Sequence, residues 1–327
     1  MANKYLEEIT ISFKTELEKL QTNFNTNIPK NNPLLKKIVS HILSSGGKKI
    51  RPIITMLIAK LIASEKKIAD PVLHLATAVE LIHTATLLHD DVVDNSKQRR
   101  NKLSANFVWG NKPSILVGDY IFSQSFIFMV LVNDLNILKI LANTSAEIAN
   151  SEVMQLSMLH RTNITDTEYL QLIQGKTANL FAAACKCSAI TLNASAELEK
   201  AADKFGLNLG ILFQLCDDYK DYFSSQEKLG KKPGNDFFEG KITLPLLLFF
   251  KKAQDNDQQV IQDMLKNKKQ SSEDFTKITQ ILQKYETQSL TIKFIKKQMD
   301  KTLKQLDIFP SSTYKNQLRN VVLSLLD

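Results

Sequence analysis

Apolar residues recur three and four apart through nearly the whole chain, as in Leu73, Ala76, Val79 and Ile82, or again in Ile137, Ile140 and Leu141. That is the helical period, and no alternating run of strand length competes with it. The pattern breaks at Asn31-Asn32-Pro33, Gly46-Gly47, Asn111-Lys112-Pro113, Thr165-Asp166 and Lys232-Pro233-Gly234-Asn235, all turn or helix-start signatures. Long helices between short breaks predict an all-α helical bundle. No segment rich in Gly, Ser and Pro acts as a linker, so residues 1–327 read as a single domain.

One short motif occurs twice in this pattern. Asp90-Asp91-Val92-Val93-Asp94 and Asp217-Asp218-Tyr219-Lys220-Asp221 both follow strongly apolar helical sequence, Ala85-Thr86-Leu87-Leu88 in the first case and Ile211-Leu212-Phe213 in the second. Residues four apart stack on one helix face, so each motif gathers three carboxylates that repel one another. A solvated acidic turn would account for one copy. Two copies at the ends of buried helices instead frame an acid-rimmed cavity, and Mg²⁺ is the natural counter-charge because it takes carboxylate oxygens, water and substrate phosphates together.

Basic residues answer these acids. Gly46-Gly47-Lys48-Lys49-Ile50-Arg51-Pro52 lacks the Walker spacing and reads as a helix stop and restart. The glycines suit a left-handed cap and Pro52 a first helical turn, but neither explains Lys48 and Arg51, which at a helix start would hold a diphosphate. Arg99 and Arg100 follow Asp94 closely and can grip phosphate oxygens in a bidentate fashion. His83 lies two turns before Asp90 on the same face. Lys176-Thr177 enters an apolar helix, where a helix cap would be sufficient reason for Thr177, and Gln214 precedes Asp217 by a turn. Lys232 and Lys241 flank a loop able to close over the second motif.

Composition narrows the function classes. The net charge of +8 suggests nucleic acid until its distribution is considered. The basic excess after Lys251 is spread among acids and glutamines without aromatic interleaving, a solvated face, so no nucleic-acid partner is expected. Three cysteines, Cys185, Cys187 and Cys216, cannot all pair and lack a second cluster for zinc, and so read as buried thiols in a reducing compartment. The first residues lack the basic start and apolar run of a signal peptide, and the longest apolar stretches are too short for a span, so a cytoplasmic chain without stable membrane insertion is expected.

Taken together, Gly46-Gly47-Lys48-x-x-Arg51-Pro52, Glu80 to Asp94, the Arg99-Arg100 pair, Trp109 to Tyr120, Gly175 to Ala178, Phe213 to Asp221 and Gly234 to Pro245 resemble the trans-polyprenyl diphosphate synthases in wording, order and spacing. The resemblance covers about residues 35–248. It implies an isoprenoid-synthase-type bundle around a deep central cavity, normally a homodimer, that adds isopentenyl diphosphate to an allylic diphosphate. By the same resemblance Asp90, Asp94 and Asp217 bind Mg²⁺ on the allylic diphosphate, while Asp91, Asp218 and Asp221 orient the cluster. Lys48, Arg51, His83 and Arg100 bind isopentenyl diphosphate; Arg99, Lys176, Lys232 and Lys241 serve the allylic diphosphate, with Thr177 and Gln214 facing the developing cation. The sequence departs from the usual pattern at Asn101, Lys49 and Lys220, the last a cation inside the second acidic motif.

Product length should follow the depth of the apolar cavity below Asp90. Ala85 and Thr86, one turn before it, are small where short-chain members of the family carry an aromatic block. A long product of about eight isoprene units is expected, with Phe122, Phe126 or Met129 as a deeper floor. The wording also resembles bacterial quinone-chain synthases, which implies respiratory quinone supply. The competing readings are a shorter-chain synthase, a terpene cyclase of the same fold, and a non-catalytic subunit of a heteromeric synthase. The intact second Asp-Asp-x-x-Asp argues against the cyclase, and two intact motifs argue against the inactive subunit.

Overall fold

The structure, a computed structural model, describes residues 2–44, 46–63, 67–100, 102–225, 233–267 and 270–326, with side chains from residue 5. Helices follow one another almost without interruption: α1 (Ala2–Ser12), α2 (Lys14–Thr26), α3 (Pro33–Ser44), α4 (Ile50–Ala63) and α5 (Asp70–Val93). A two-residue hairpin, β1 (Gln98–Arg99) and β2 (Lys102–Leu103), separates these from α6 (Ala105–Trp109), α7 (Asn111–Leu131) and α8 (Leu135–Met158). Then come α9 (Asp166–Ile173), a π turn at Gln174–Ala178, α10 (Asn179–Thr191), α11 (Ala196–Phe223) and α12 (Asn235–Phe238). The chain finishes with α13 (Leu244–Lys252), α14 (Asp255–Lys266), α15 (Ser272–Lys284), α16 (Thr287–Lys304) and α17 (Thr313–Ser324). The expected all-α architecture is what the chain adopts. Among the described residues the antiparallel pairing of Gln98–Arg99 with Lys102–Leu103 is the one departure, too short to leave a periodic signature.

Position within the bundle follows from side-chain size. α10 carries Ala182, Ala183 and Ala184, small on every face, and is buried on both sides: Phe181 and Cys185 enter one core, Leu180 and Cys187 the other. α11 meets it through Gly206 and Gly210, one turn apart. A Cβ on Gly206 would lie 2.4 Å from the Phe181 carbonyl oxygen, and one on Gly210 would lie 2.4 Å from the Ala178 Cα. That close crossing fixes the height at which the second acidic motif emerges. α5 lies along α7 and α4, and every residue of α4 from Ile50 to Leu61 is buried. All three cysteines are buried thiols.

Among the described residues α5 and α7 are long and apolar enough to cross a membrane. α5 is a core helix, 67% of its apolar window being buried, which accounts for its composition. α7 is only 44% buried and exposes Ile115, Leu116, Ile127, Val130 and Leu131.

Candidate active site

Both acidic motifs sit at helix C-termini, where the helix dipole disfavours negative charge. α5 ends at Val93 with Asp94 as its cap, and the Asp94 N–H still donates to the Asp90 carbonyl at 2.8 Å, so the last turn keeps the two aspartates stacked. Asp217, Asp218 and Asp221 occupy the final turns of α11. The arrangement concentrates acid against an unfavourable dipole, which only cations can offset.

Three of the six carboxylates are committed to protein partners. Arg99 Nε donates to both oxygens of Asp91 at 2.8 Å, and its Nη2 lies 2.7 Å from Oδ1. The Tyr169 hydroxyl and Gln214 Nε2, the latter at 2.9 Å, both donate to Asp218. Asp221 accepts the Asp236 N–H at 2.9 Å. The other three are held more loosely: Asp217 is exposed, and Asp94 meets Lys241 at 3.5 Å. Burial pushes the Asp90 carboxyl up to about 7; Lys176 opposes the shift, Glu152 and Asp94 add to it, and Arg99 opposes it. Burial also brings Asp218 up to about 7 against the hydrogen bonds from Tyr169 and Gln214.

Two cavities meet at Asp217; Asp94 and Asp218 line one of them, and Asp90, Asp91 and Asp221 line neither. One, of about 700 Å³, is lined by Asp94, Arg99, Lys176, Thr177, Gln214, Asp217, Asp218 and Lys241 among others. The second, of about 850 Å³, is lined by Lys48, Arg51, His83, Phe213 and Lys220. Asp217 and Arg100 line both. α11 is the ridge between them: Gln214 and Asp218 face the first, while Phe213, Cys216 and Lys220 face the second.

The second cavity shows why two glycines precede Lys48. Gly46 (φ 71°) and Gly47 (φ 128°) carry the chain out of α3 in left-handed conformations, as expected for a helix stop. Gly47 does more, because a Cβ there would lie 2.2 Å from Arg100 Nη1. The bare backbone is the seat of the Arg100 guanidinium, which donates to the Gly46 carbonyl. Arg51, in the first turn of α4, lies 4.6 Å from the Phe181 ring centroid. Lys49, one of the departures from the family pattern, pairs with Glu80 at 2.8 Å.

His83 faces this concentration of positive charge. Burial lowers its pKa well below the ordinary value, and Arg51, Arg100, Arg99 and Lys49 lower it further. The imidazole is therefore neutral in the native protein, whereas the unfolded chain takes up a proton below pH about 6.5. Stability from this residue is complete above that pH and falls by up to about 1.4 kcal/mol per pH unit below it. Thermal melts from pH 7.5 down to 5 are expected to show a shallower acid loss in His83→Gln than in the wild type.

Lys176 and Thr177 occupy the π turn, the one wide turn in a helical run from Asp166 to Thr191. Such turns re-aim side chains at functional sites. Thr177 is thus no helix cap: the cap of this run is Thr165, whose side chain accepts the Glu168 N–H in a capping box. The Thr177 hydroxyl instead donates to Gln214 Oε1 at 2.8 Å, and Lys176 Nζ is held by Glu152 at 2.8 Å and Gln155 at 2.7 Å. The loop after Pro233 does lie over the second motif, since the Gly234 N–H donates to the Asp221 carbonyl at 2.8 Å. Burial lowers the Lys241 pKa, but Glu239, Asp94 and Asp236 outweigh it and hold the ammonium above its ordinary value. Lys232 and Asn101 lie outside the described residues.

A family model described as Polyprenyl synthetase matches residues 32–282. The chain belongs to that family. The chain is 44% identical over 214 residues to octaprenyl diphosphate synthase of Escherichia coli (strain K12), a match covering 65% of each chain. It is 33% identical to octaprenyl diphosphate synthase of Haemophilus influenzae over 96% of this chain and 94% of that one. Its fold superposes with a TM-score of 0.92 on a polyprenyl synthase of Caulobacter crescentus, 34% identical over 98% of both chains, whose crystal structure contains calcium and isoprenyl diphosphate.

The residues expected to set product length lie away from both cavities. Ala85 and Met129 are fully buried in the core shared by α5 and α7, and Phe122 packs at its edge. Thr86 is half-buried, its hydroxyl donating to the His83 carbonyl at 2.8 Å. Phe126 is 39% exposed, with its ring 5.1 Å from that of Phe122, so it sits at the surface and not at the bottom of a buried shaft. Tyr169, Glu152 and Gln155 belong to the site without any sequence motif marking them, and Glu80, which opens the first acidic motif's segment, gains a role only through Lys49.

Proposed function

We propose that this polyprenyl synthetase condenses isopentenyl diphosphate with an allylic diphosphate, farnesyl or geranylgeranyl, to build a long trans-polyprenyl diphosphate for respiratory quinone side chains. The observation that carries the reading is the pair of cation-lined cavities meeting at Asp217 and Arg100, because a reaction joining two diphosphates needs two such seats side by side. The octaprenyl relatives support the long product.

A divalent ion fits the donors present. Among the described residues no three His, Cys, Asp or Glu side chains gather closely enough to hold an ion by themselves. The loosely held Asp90, Asp94 and Asp217 suit a hard ion that takes a few carboxylates and completes its shell from water and substrate oxygens, the habit of Mg²⁺. When bound there, Mg²⁺ supplies charge neutralisation of the allylic diphosphate as its C–O bond breaks. Asp91 keeps Arg99 aimed at the first cavity, and Lys176 and Lys241 offer further positive charge to the leaving diphosphate. The Thr177 hydroxyl and Gln214 carbonyl present their dipoles to the allylic cation. Lys48, Arg51, His83 and Arg100 hold isopentenyl diphosphate so that its double bond meets that cation. The departing diphosphate takes the proton, so no protein base is required.

The exposed apolar face of α7 supports a homodimer, and the buried reduced thiols support a cytoplasmic setting. A path for the growing chain past Ala85 requires α5 and α7 to part, because Ala85 is buried in their shared core. Prenyl chains made from labelled isopentenyl diphosphate and farnesyl diphosphate, resolved by length, are expected to be long for the wild type and shortened by several units in Ala85→Phe. An unchanged length distribution would remove Ala85 from the path, and a short wild-type product would assign a shorter-chain synthase.

A further inference from the structure

Lys220 is the cation inside the second acidic motif, and its position is unlike that of its neighbours. Asp218 and Asp221 turn to the Tyr169 and Asp236 side of α11. Phe213, Cys216, Asp217 and Lys220, spaced three, one and three, form the stripe that faces the second cavity. Lys220 Nζ donates to the carbonyl of Leu325 at 2.7 Å, immediately beyond α17. Ser324 and Leu325 line the same cavity, as do Leu6, Thr10 and Ile11 of α1, against which α17 packs. Part of the wall of the cavity that Lys48, Arg51, His83 and Arg100 line is therefore made from the two sequence extremes of the described fold. The charge-assisted hydrogen bond from Lys220 joins that wall to the metal-binding helix.

We infer that Lys220 is a positioning residue for the second cavity: its bond to the Leu325 carbonyl holds the end of α17 in place as the wall that encloses isopentenyl diphosphate. This rests on the reading of that cavity given above. Charge-assisted bonds to a carbonyl are stronger than neutral ones, and a cation in the last turn of α11 also suits the helix dipole. An apolar residue at this position keeps the packing against Cys216 and Phe213 but leaves the carbonyl without its donor.

The test compares full-length wild type, Lys220→Leu and Lys220→Arg by steady-state kinetics and by hydrogen–deuterium exchange without substrate. Lys220→Leu is expected to raise KM for isopentenyl diphosphate about fivefold, to leave KM for the allylic diphosphate within about twofold, and to speed exchange across Leu318–Leu325; Lys220→Arg restores both readouts. Unchanged exchange in Lys220→Leu overturns the tether, and an equal rise in both KM values overturns the assignment to the second cavity. If the wild type forms no prenyl product, the reaction reading fails alone, and the exchange comparison still decides whether Lys220 holds α17.

Discussion

Asp90→Ala is expected to lower turnover about a thousandfold or more while leaving the metal-free fold as stable as before, or stabler. The two effects have opposite signs because the carboxylate works against its surroundings. Burial pushes it up to about 7, with Glu152 and Asp94 adding to the shift, so its charge is unfavourable in the folded chain by roughly a few kcal/mol. Alanine removes that charge and favours the last turn of α5. It also removes a ligand from the ion that neutralises the leaving diphosphate, an interaction worth several kcal/mol in the transition state. Steady-state kinetics and thermal melts in the absence of metal check both halves. A clear fall in melting temperature with turnover reduced only a few fold would make Asp90 a structural acid.

Arg51→Met is expected to raise KM for isopentenyl diphosphate about a hundredfold with little loss of stability. Arg51 is 9% exposed, and burial pulls its guanidinium down to about 10, against the attraction of Glu80. Its Nε is buried without a hydrogen-bond partner, a desolvation cost set against the contacts with the Phe181 and Phe213 rings. Methionine fills a similar volume between Phe181 and Phe213 without the desolvation cost, a replacement that is commonly neutral or stabilising. Lysine keeps the charge but cannot stack or fork, so Arg51→Lys is expected to fall between the two. Kinetics with isopentenyl diphosphate varied at saturating allylic substrate reads the binding effect, and a melt reads the other. An unaltered KM in Arg51→Met would take this residue out of the substrate cavity.

What the sequence reveals of this site is local, and what it hides is tertiary. The aspartates are legible because residues four apart on a helix must stack, and the breaks at Gly46-Gly47 and Thr165-Asp166 because left-handed and capping positions accept few residue types. Tyr169 is invisible by the same logic: it is one polar-tipped residue on a short helix, and its meaning comes from a carboxylate 49 residues away. Glu80 and Glu152 acquire their roles from Lys49 and Lys176, 31 and 24 residues distant. Thr177 misleads because a threonine near a helix start usually caps it, and only the backbone reveals a π turn within a continuous helix. Lys220 stands out as an oddity in its motif, but the carbonyl that explains it lies 105 residues further along.

On the function proposed above, the two acidic motifs hold a divalent ion on which prenyl transfer depends. The most direct measurement incubates the purified chain with labelled isopentenyl diphosphate and farnesyl diphosphate, with Mg²⁺ or with excess chelator, beside Asp90→Ala. Long prenyl chains that appear only with Mg²⁺ and vanish in the variant are the result predicted here. Equal product with chelator present, or none from the wild type with Mg²⁺ supplied, would contradict it.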